Sequence, residues 1–161
     1  MNDLGRGARK IDRPSSGADP DRMATQVKFE CYSEDLASGI HNWTAAGHAF
    51  KVALTNSAPN AATHTVLADI TQIGTTGGYV TGGYDIQNDL SRSGGTTTIT
   101  GVDVTITASG GAIGPFRYAV IYNDTSTGDR LVSYADYGSS ASIADGESLL
   151  IDIGAALQNV V

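Results

Sequence analysis

Three histidines, His41, His48 and His64, are the first candidates for chemistry, because an imidazole can bind zinc or activate a nucleophile. They fall in or beside segments expected to be loops, and His41 and His48 lie seven positions apart across a helix-to-strand connection. Zinc sites use histidine and cysteine at shorter, regular spacings. No serine occupies a Gly-x-Ser-x-Gly elbow. The pattern predicts three partly exposed loop histidines with no catalytic or zinc-binding role.

Glycoside cleavage needs two carboxylates that face each other, so Asp103, Asp136 and Glu147 are the next candidates. Asp145 and Glu147 flank Gly146 in an expected turn, where aspartate commonly accepts hydrogen bonds from backbone amides. Nothing in the sequence pairs any of these groups across a cleft. We therefore expect no catalytic residues.

Cation and phosphate sites are not indicated either. Asp124 and Asp129 bracket a loop, but the regular ligand spacing of a calcium loop is missing. No Gly-Gly pair is followed by Lys-Ser/Thr and a helix, as a phosphate-binding loop requires; the pairs lie at 77–78, 82–83, 94–95 and 110–111. We expect no cofactor and no metal.

The chain has one tryptophan, Trp43, and seven tyrosines, and flat aromatic rings can stack on sugars. Tyr118 and Tyr122 share one face of an expected core strand, which favours core packing for these two. Cys31 is the single cysteine, so no intramolecular disulfide can form. No run approaches the ~18 to 20 apolar residues of a membrane-spanning helix, and the N-terminus lacks a signal-peptide core. We expect synthesis in the cytoplasm and no membrane partner.

A short amphipathic helix is predicted over residues 27–38. Its apolar residues recur at intervals of three, four and four, which aligns them along one helical stripe. These residues are Phe29, Tyr32, Leu36 and Ile40. Gly39 is predicted to cap the C-terminus of the helix. Cys31, Glu34 and Asp35 are expected to lie largely off the buried stripe.

Apolar and polar residues alternate after the helix, which is typical of strands. The predicted strands cover 50–55, 66–70, 79–86, 96–108, 116–122, 131–137 and 148–153. The 96–108 pattern changes phase, which a bulge near Gly101 would explain. The 116–122 strand is apolar on both faces, which predicts a central strand, and 123–129 predicts the turn of a hairpin. Seven short strands without β-α-β alternation predict an antiparallel β-sandwich or barrel.

The basic residues are unevenly placed along the chain. Residues 1–22 hold five of the ten and only four of the 17 acidic residues, so they carry a net charge of +1 and the rest carries −8. The five are Arg6, Arg9, Lys10, Arg13 and Arg22. With so little apolar surface, residues 1–22 cannot recover their ordering entropy by burying themselves. They are predicted to be a disordered tail, sequence upstream of a start at Met23, or a docking arm whose basic residues bind a partner.

Residues 23–161 are predicted to form a single β-sandwich domain after this N-terminal arm. Its acidic balance should repel nucleic acid, because binding to phosphate backbones needs a basic surface.

Two passages carry a resemblance to a known family. The first runs from Phe50-Lys51-Val52-Ala53-Leu54-Thr55-Asn56 to residues 65–70, and the second from Gly114-Pro115-Phe116-Arg117-Tyr118 through 122–124 and 137–140 to 144–147. Over about residues 23–153 the chain resembles small β-rich virion structural proteins of tailed bacteriophages. Members of this family typically begin with a Met-Ala-Thr-like sequence, which here corresponds to Met23-Ala24-Thr25. The resemblance implies a virion component and brings no catalytic or binding residues with it.

These observations predict a non-enzymatic virion structural protein, made in the host bacterial cytoplasm. The specific expectation is a capsid decoration, or cement, protein that binds the major capsid protein or other virion proteins on the outer shell. A homo-oligomer is expected, with a trimer as the predicted state. One alternative is a tail or head-fibre component in which Trp43 contacts host glycans. Another is a small polysaccharide hydrolase that uses Asp136 and Glu147.

Overall fold

The computed structural model describes residues 26–153 and 158–160, the last three as backbone only. This part of the chain is mainly β, with one α-helix and three antiparallel sheets that do not close into a barrel. The predicted class, a sandwich-like antiparallel β fold with a short helix, is confirmed. The barrel alternative is wrong.

The largest sheet has five strands, and its middle strand is the one predicted to be central. The spatial order is β1 (Gln26–Lys28), β8 (Arg130–Ile143), β7 (Ile113–Asn123), β2 (Phe50–Thr55) and β3 (Tyr84–Asp85). Strand β7 pairs with β2 along its second half, where Ala53 lies opposite Val120. It forms the predicted hairpin with β8 through residues 124–129. Both of its faces are buried because a sheet interior is covered on each side.

Two smaller sheets cover one face of this large sheet. They are the three-stranded β10 (Gln158–Val160), β5 (Thr96–Thr100) and β4 (Asp89–Ser93), and the two-stranded β6 (Val104–Thr107) and β9 (Ser148–Ile151). Ile99, Ile106 and Ile151 from these sheets join Val52 and Ile121 in one buried cluster. Each fully buried side chain of this size contributes about 1.5–3 kcal/mol. The cluster therefore holds the two layers together.

The opposite face of the large sheet has a smaller apolar cluster. Ala53, Val120 and Leu131 meet Phe29 and Ile70 there. The alternation along β2 and β7 thus sends successive residues into two different clusters.

The predicted single strand over 96–108 is wrong, because the chain changes sheet in its middle. Strand β5 ends at Thr100 and β6 begins at Val104, in a different sheet. The N–H of Val102 donates to the carbonyl of Ile86 at 2.7 Å, while its side chain is exposed. The phase change at Gly101 is therefore a crossing between sheets and not a bulge.

The predicted strand over 66–70 is also wrong. Residues Leu67–Asp69 form a 3₁₀ turn. The Asp69 carboxylate accepts hydrogen bonds from the N–H groups of Thr65 and Val66, at 2.8 and 3.2 Å. These two bonds hold the pKa of Asp69 below its usual value. This side-chain cap stabilises a turn where the apolar alternation alone indicated a strand.

The helix is shorter than predicted. Residues 26–28 are strand β1, which pairs with Ser133–Ala135 of β8, and helix α1 covers Cys31–Ala37. Gly39, at φ +75°, ends the helix as predicted. Its N–H donates to Leu36, and the next N–H, of Ile40, donates to the carbonyl of Asp35. This pair of bonds is a Schellman motif, in which glycine adopts the left-handed conformation without a Cβ penalty.

The strands predicted over 148–153 and 79–86 are both present, but each is shorter than predicted. The strand predicted over 148–153 is confirmed as β9, after a turn in which Gly146 has φ +83°, but it is not the final strand, because β10 follows it. The weak strand predicted over 79–86 shrinks to β3 because Tyr79 turns inward, where its buried hydroxyl accepts from the N–H of Leu54 at 2.9 Å.

Candidate functional site

The five predicted partner-binding residues all lie outside the described residues. They are Arg6, Arg9, Lys10, Arg13 and Arg22. The predicted domain boundary at residue 22 falls outside as well.

The three carboxylates considered for glycoside cleavage each accept hydrogen bonds from other groups of the domain. Asp136 accepts two hydrogen bonds from Arg117, at 2.8 and 2.9 Å. Glu147 accepts from the N–H of Ala144 at 3.2 Å, and Asp103 accepts from the N–H of Ile153 at 2.9 Å. The structure pairs no two of the three with each other.

Asp35, His41 and Asn123 are buried, and with the half-buried His48 and Arg130 they form a connected polar cluster. Helix α1 supplies Asp35, and the loop between α1 and β2 supplies both histidines. Asn123 is the last residue of β7, and Arg130 is the first of β8. The β7–β8 hairpin thus presents both ends of its turn to the helix and its following loop.

Asp35 and Arg130 form the charged half of the cluster. Arg130 donates from Nε and Nη2 to the two carboxylate oxygens, at 2.8 and 2.7 Å. Asp35 is only 1% exposed, which corrects the prediction that it lies off the buried stripe. A buried carboxylate is tolerated when a charged partner and good geometry compensate its lost hydration. Asp35 in turn raises the pKa of Arg130.

Asn123 forms the neutral half of the cluster and is fully buried. Its Oδ1 accepts from the N–H groups of Thr125 and Ser126, both at 3.1 Å. Its Nδ2 lies 3.0 Å from Nδ1 of His41 and 3.0 Å from Nδ1 of His48. One side-chain amide therefore joins the hairpin turn to both histidines.

His41 corrects the prediction of three partly exposed histidines, because its side chain is buried, whereas His48 and His64 are half-buried. Its ring stacks on Tyr32, with centroids 5.2 Å apart, and Nε2 lies 3.9 Å from Oδ2 of Asp35. Burial lowers the pKa of His41 to about 4, and the positive Arg130 adds to this effect while Asp35 opposes it. At neutral pH this histidine is uncharged.

A groove of about 570 Å³ opens over the polar cluster. Glu34, Ser38, His48, Thr125 and Arg130 are among the residues that line it. The loop between α1 and β2 also borders a second groove of about 450 Å³, lined in part by Leu36, Trp43, Leu90 and Ile99. Residues of segment 38–48 therefore line both grooves, and the one over the polar cluster is called the polar groove.

No protein-family model matches the chain, and no curated protein or solved structure is significantly similar to it. Among residues 26–153 and 158–160, no helix is long and apolar enough to cross a membrane.

The polar cluster offers no activated nucleophile within the described part of the chain. The hydroxyl of Ser126 donates to the carbonyl of Asn123 and accepts from the N–H of Arg130, and that of Ser38 donates to the backbone carbonyl of Glu34. Burial first, and the Asp35 carboxylate next, raise the pKa of the Cys31 thiol, which favours its unreactive protonated form. The described residues also contain no group of three or more metal-ligating side chains.

Trp43 does not form a surface platform for sugars. It is 2% exposed, and its ring stacks on Phe50 with centroids 3.5 Å apart and planes 9° apart. Its indole N–H lies near the Tyr32 hydroxyl without reaching hydrogen-bond geometry, and burial raises the pKa of Tyr32 to about 12. Tyr118 and Tyr122 are buried, as predicted.

Three members of the polar cluster, Asp35, Asn123 and Arg130, were not singled out from the sequence. Asp35 and Arg130 are 95 positions apart, and Asn123 and His41 are 82 apart. The available local signal is weak: Asp35 lies three residues after Tyr32 and one before Leu36, close to the stripe that helix α1 buries.

Proposed function

We propose that this protein is a non-enzymatic structural component of a tailed-bacteriophage particle, and specifically a decoration protein of the capsid. The observation that carries the virion assignment is the resemblance over residues 23–153. The polar cluster supports a non-enzymatic role, since its polar groups hold elements of the fold to one another. The proposed place of synthesis is the cytoplasm of the host bacterium, and the proposed final location is the virion.

The distribution of charge supports docking through residues 1–22. Residues 26–153 contain 13 acidic and five basic residues. Three of these five basic residues form ion pairs inside the domain: Lys51 with Asp124, Arg117 with Asp136, and Arg130 with Asp35. The domain is therefore acidic, and the basic residues of 1–22 can attach it to a partner surface of opposite charge.

The proposed partner is the major capsid protein or another virion protein, with the domain assembled as a trimer. Nucleic acid is an unsuitable partner for an acidic domain. Many copies on one shell would add their individually modest affinities through avidity.

The test compares the full chain with a variant that lacks residues 1–22. Phage particles without the endogenous protein are incubated with each, and cryo-electron microscopy measures occupancy and position. The proposal expects full-chain density on the capsid shell and at least tenfold lower occupancy for the shortened chain. Circular dichroism and thermal melting must show that the shortened chain still folds.

The outcomes separate the alternatives. Density confined to the tail would overturn the decoration role in favour of a tail or head-fibre component. Equal occupancy of the two chains would remove residues 1–22 as the docking element. Release of sugars from host polysaccharide, abolished by Asp136→Asn or Glu147→Gln, would replace the proposal with a hydrolase.

A further inference from the structure

Asn123 has a side-chain orientation that its own hydrogen bonds determine. Oδ1 accepts from two backbone N–H groups, those of Thr125 and Ser126. The opposite orientation would place the NH₂ group against these two donors. Nδ2 must therefore face the histidines, together with the carbonyl of Ile40 at 3.2 Å.

This orientation fixes the protons on both imidazoles. The NH₂ group of Asn123 can only donate, and its two hydrogens face three acceptors: the carbonyl of Ile40, Nδ1 of His41 and Nδ1 of His48. One hydrogen is therefore shared between two acceptors, and both Nδ1 atoms must offer a lone pair. Both rings then carry their proton on Nε2. A second proton on either ring would put an N–H donor 3.0 Å from the NH₂ donor of Asn123. Protonation and the amide hydrogen bond therefore exclude each other.

We propose that His41 and His48 hold Asn123 as an acid-released latch, which fastens the turn of the β7–β8 hairpin to the loop after helix α1. The latch is closed when both imidazoles are neutral, and protonation of either ring opens it. This inference does not depend on the proposed virion role.

Four titratable groups surround His41. Asp35 favours its protonation through charge, Arg130 and His48 oppose it, and the stacked Tyr32 supplies a buried neutral ring. Burial outweighs these contributions and lowers the pKa of His41 to about 4. His48 is half-buried and lines the polar groove, where Glu34, Asp35 and Arg130 are its charged neighbours.

The latch affects the polar groove because residues on both sides of the latch line that groove. His48 lies on the loop side, and Thr125 lies on the hairpin turn. Besides Asn123, the turn contacts the loop at Ala49, whose N–H donates to Thr125 Oγ1 and whose carbonyl accepts from the N–H of Asp124, both at 3.0 Å. Both contacts lie next to His48. Release of the amide therefore loosens the wall of the groove formed by 124–127.

Amide hydrogen exchange of the full chain tests the latch between pH 7.5 and 4.5, after correction for intrinsic exchange rates. The N–H groups of Thr125 and Ser126 should lose protection by roughly ten- to a hundred-fold in acid. The N–H groups of Val120 and Ala135 in the central sheet should keep theirs, which separates local opening from unfolding. Nitrogen-15 shifts should place the proton on Nε2 of both His41 and His48 at pH 7.5.

Three variants sharpen the test. Asn123→Asp keeps the acceptors for Thr125 and Ser126 but presents a carboxylate to the histidines, so the acid response should disappear or reverse. His48→Gln keeps a neutral acceptor that does not titrate, so it should reduce the response even if Asn123→Asp does not fold. His64→Gln is the matched control and should respond like the unmodified chain, because His64 bonds only locally, to Asn60.

The same experiment can overturn the latch. Protection at Thr125 and Ser126 that stays constant down to pH 4.5 would contradict the latch. An Nδ1 proton on His41 or His48 at pH 7.5 would also contradict it. So would an acid response that is unchanged in both single variants, His48→Gln and Asn123→Asp.

Discussion

Arg130 donates two hydrogen bonds to the carboxylate of Asp35, which is almost completely buried. Arg117 donates to Asp136 through the same two atoms of its guanidinium, at nearly the same distances. In that second pair, more than a third of each side chain, 38% and 35%, is exposed. The two ion pairs match in hydrogen-bond geometry and differ in burial. A comparison of the two therefore separates the energetic effect of burial from that of geometry.

Replacement of Arg130 by glutamine should lower the free energy of unfolding by about 3 kcal/mol or more, because it leaves the Asp35 carboxylate buried without its charged partner. Arg117→Gln, the matched control, should cause a much smaller loss, since water can solvate Asp136. Urea denaturation at pH 7.5 measures both. Equal losses would mean that burial of Asp35 does not matter.

Stability should fall in mild acid because of His41. Its pKa is about 4 in the folded protein and about 6.5 when unfolded, so the unfolded chain binds the proton more tightly. The free energy of unfolding therefore decreases as pH drops from about 6.5 to about 4, by about 3 kcal/mol in total. Urea denaturation of the unmodified chain and of His41→Gln across this range isolates the contribution. An identical pH slope for the two would contradict it.

Trp43 should report a dry environment. As the one tryptophan of the chain, it alone gives the indole fluorescence signal. Because it is stacked on Phe50 and 2% exposed, we expect blue-shifted emission and little quenching by acrylamide in the folded protein. Addition of glycans should leave the emission unchanged. Strong quenching without denaturant would show that the ring is accessible after all.

Gly83 should not tolerate a side chain. Its φ is +73°, and a Cβ there would overlap the carbonyl of Val52 in strand β2. Gly83→Ala should therefore lower Tm by roughly 5 °C or more. Gly95→Ala is the control, because a Cβ at Gly95 meets nothing within 4 Å and its φ is not in the left-handed region. Differential scanning calorimetry compares them, and similar Tm values for the two variants would refute the predicted clash.

Much of the β architecture was predictable because period-two patterns report burial directly. The two apolar faces of 116–122 predicted the central strand β7, and the turn residues after it predicted the hairpin with β8. The same rule failed where a short pattern had a competing local cause. Asp69 caps a 3₁₀ turn within 66–70, and at Gly101 the chain leaves one sheet for another.

The polar cluster was beyond such rules. Burial of Asp35 depends on Arg130, and burial of His41 depends on Asn123, at distances along the chain that no local pattern spans. Buried polar residues look like surface residues in sequence, since only their partners distinguish them. Trp43 shows the converse, because a loop position did not indicate that Phe50 would cover its ring.

The pairing of strand β1 and helix α1 with β8 has a consequence for synthesis of the protein. Val27 pairs opposite Tyr134, and Asp35 waits for Arg130, which follows it by 95 residues. A ribosome adding about 5–20 residues per second needs roughly 5–20 seconds to cover that interval. During this delay Asp35 has no counter-ion and β1 has no neighbour. Strand β1 and helix α1 are therefore synthesised early, but they gain their strand partner and counter-ion only when the last third of the chain emerges.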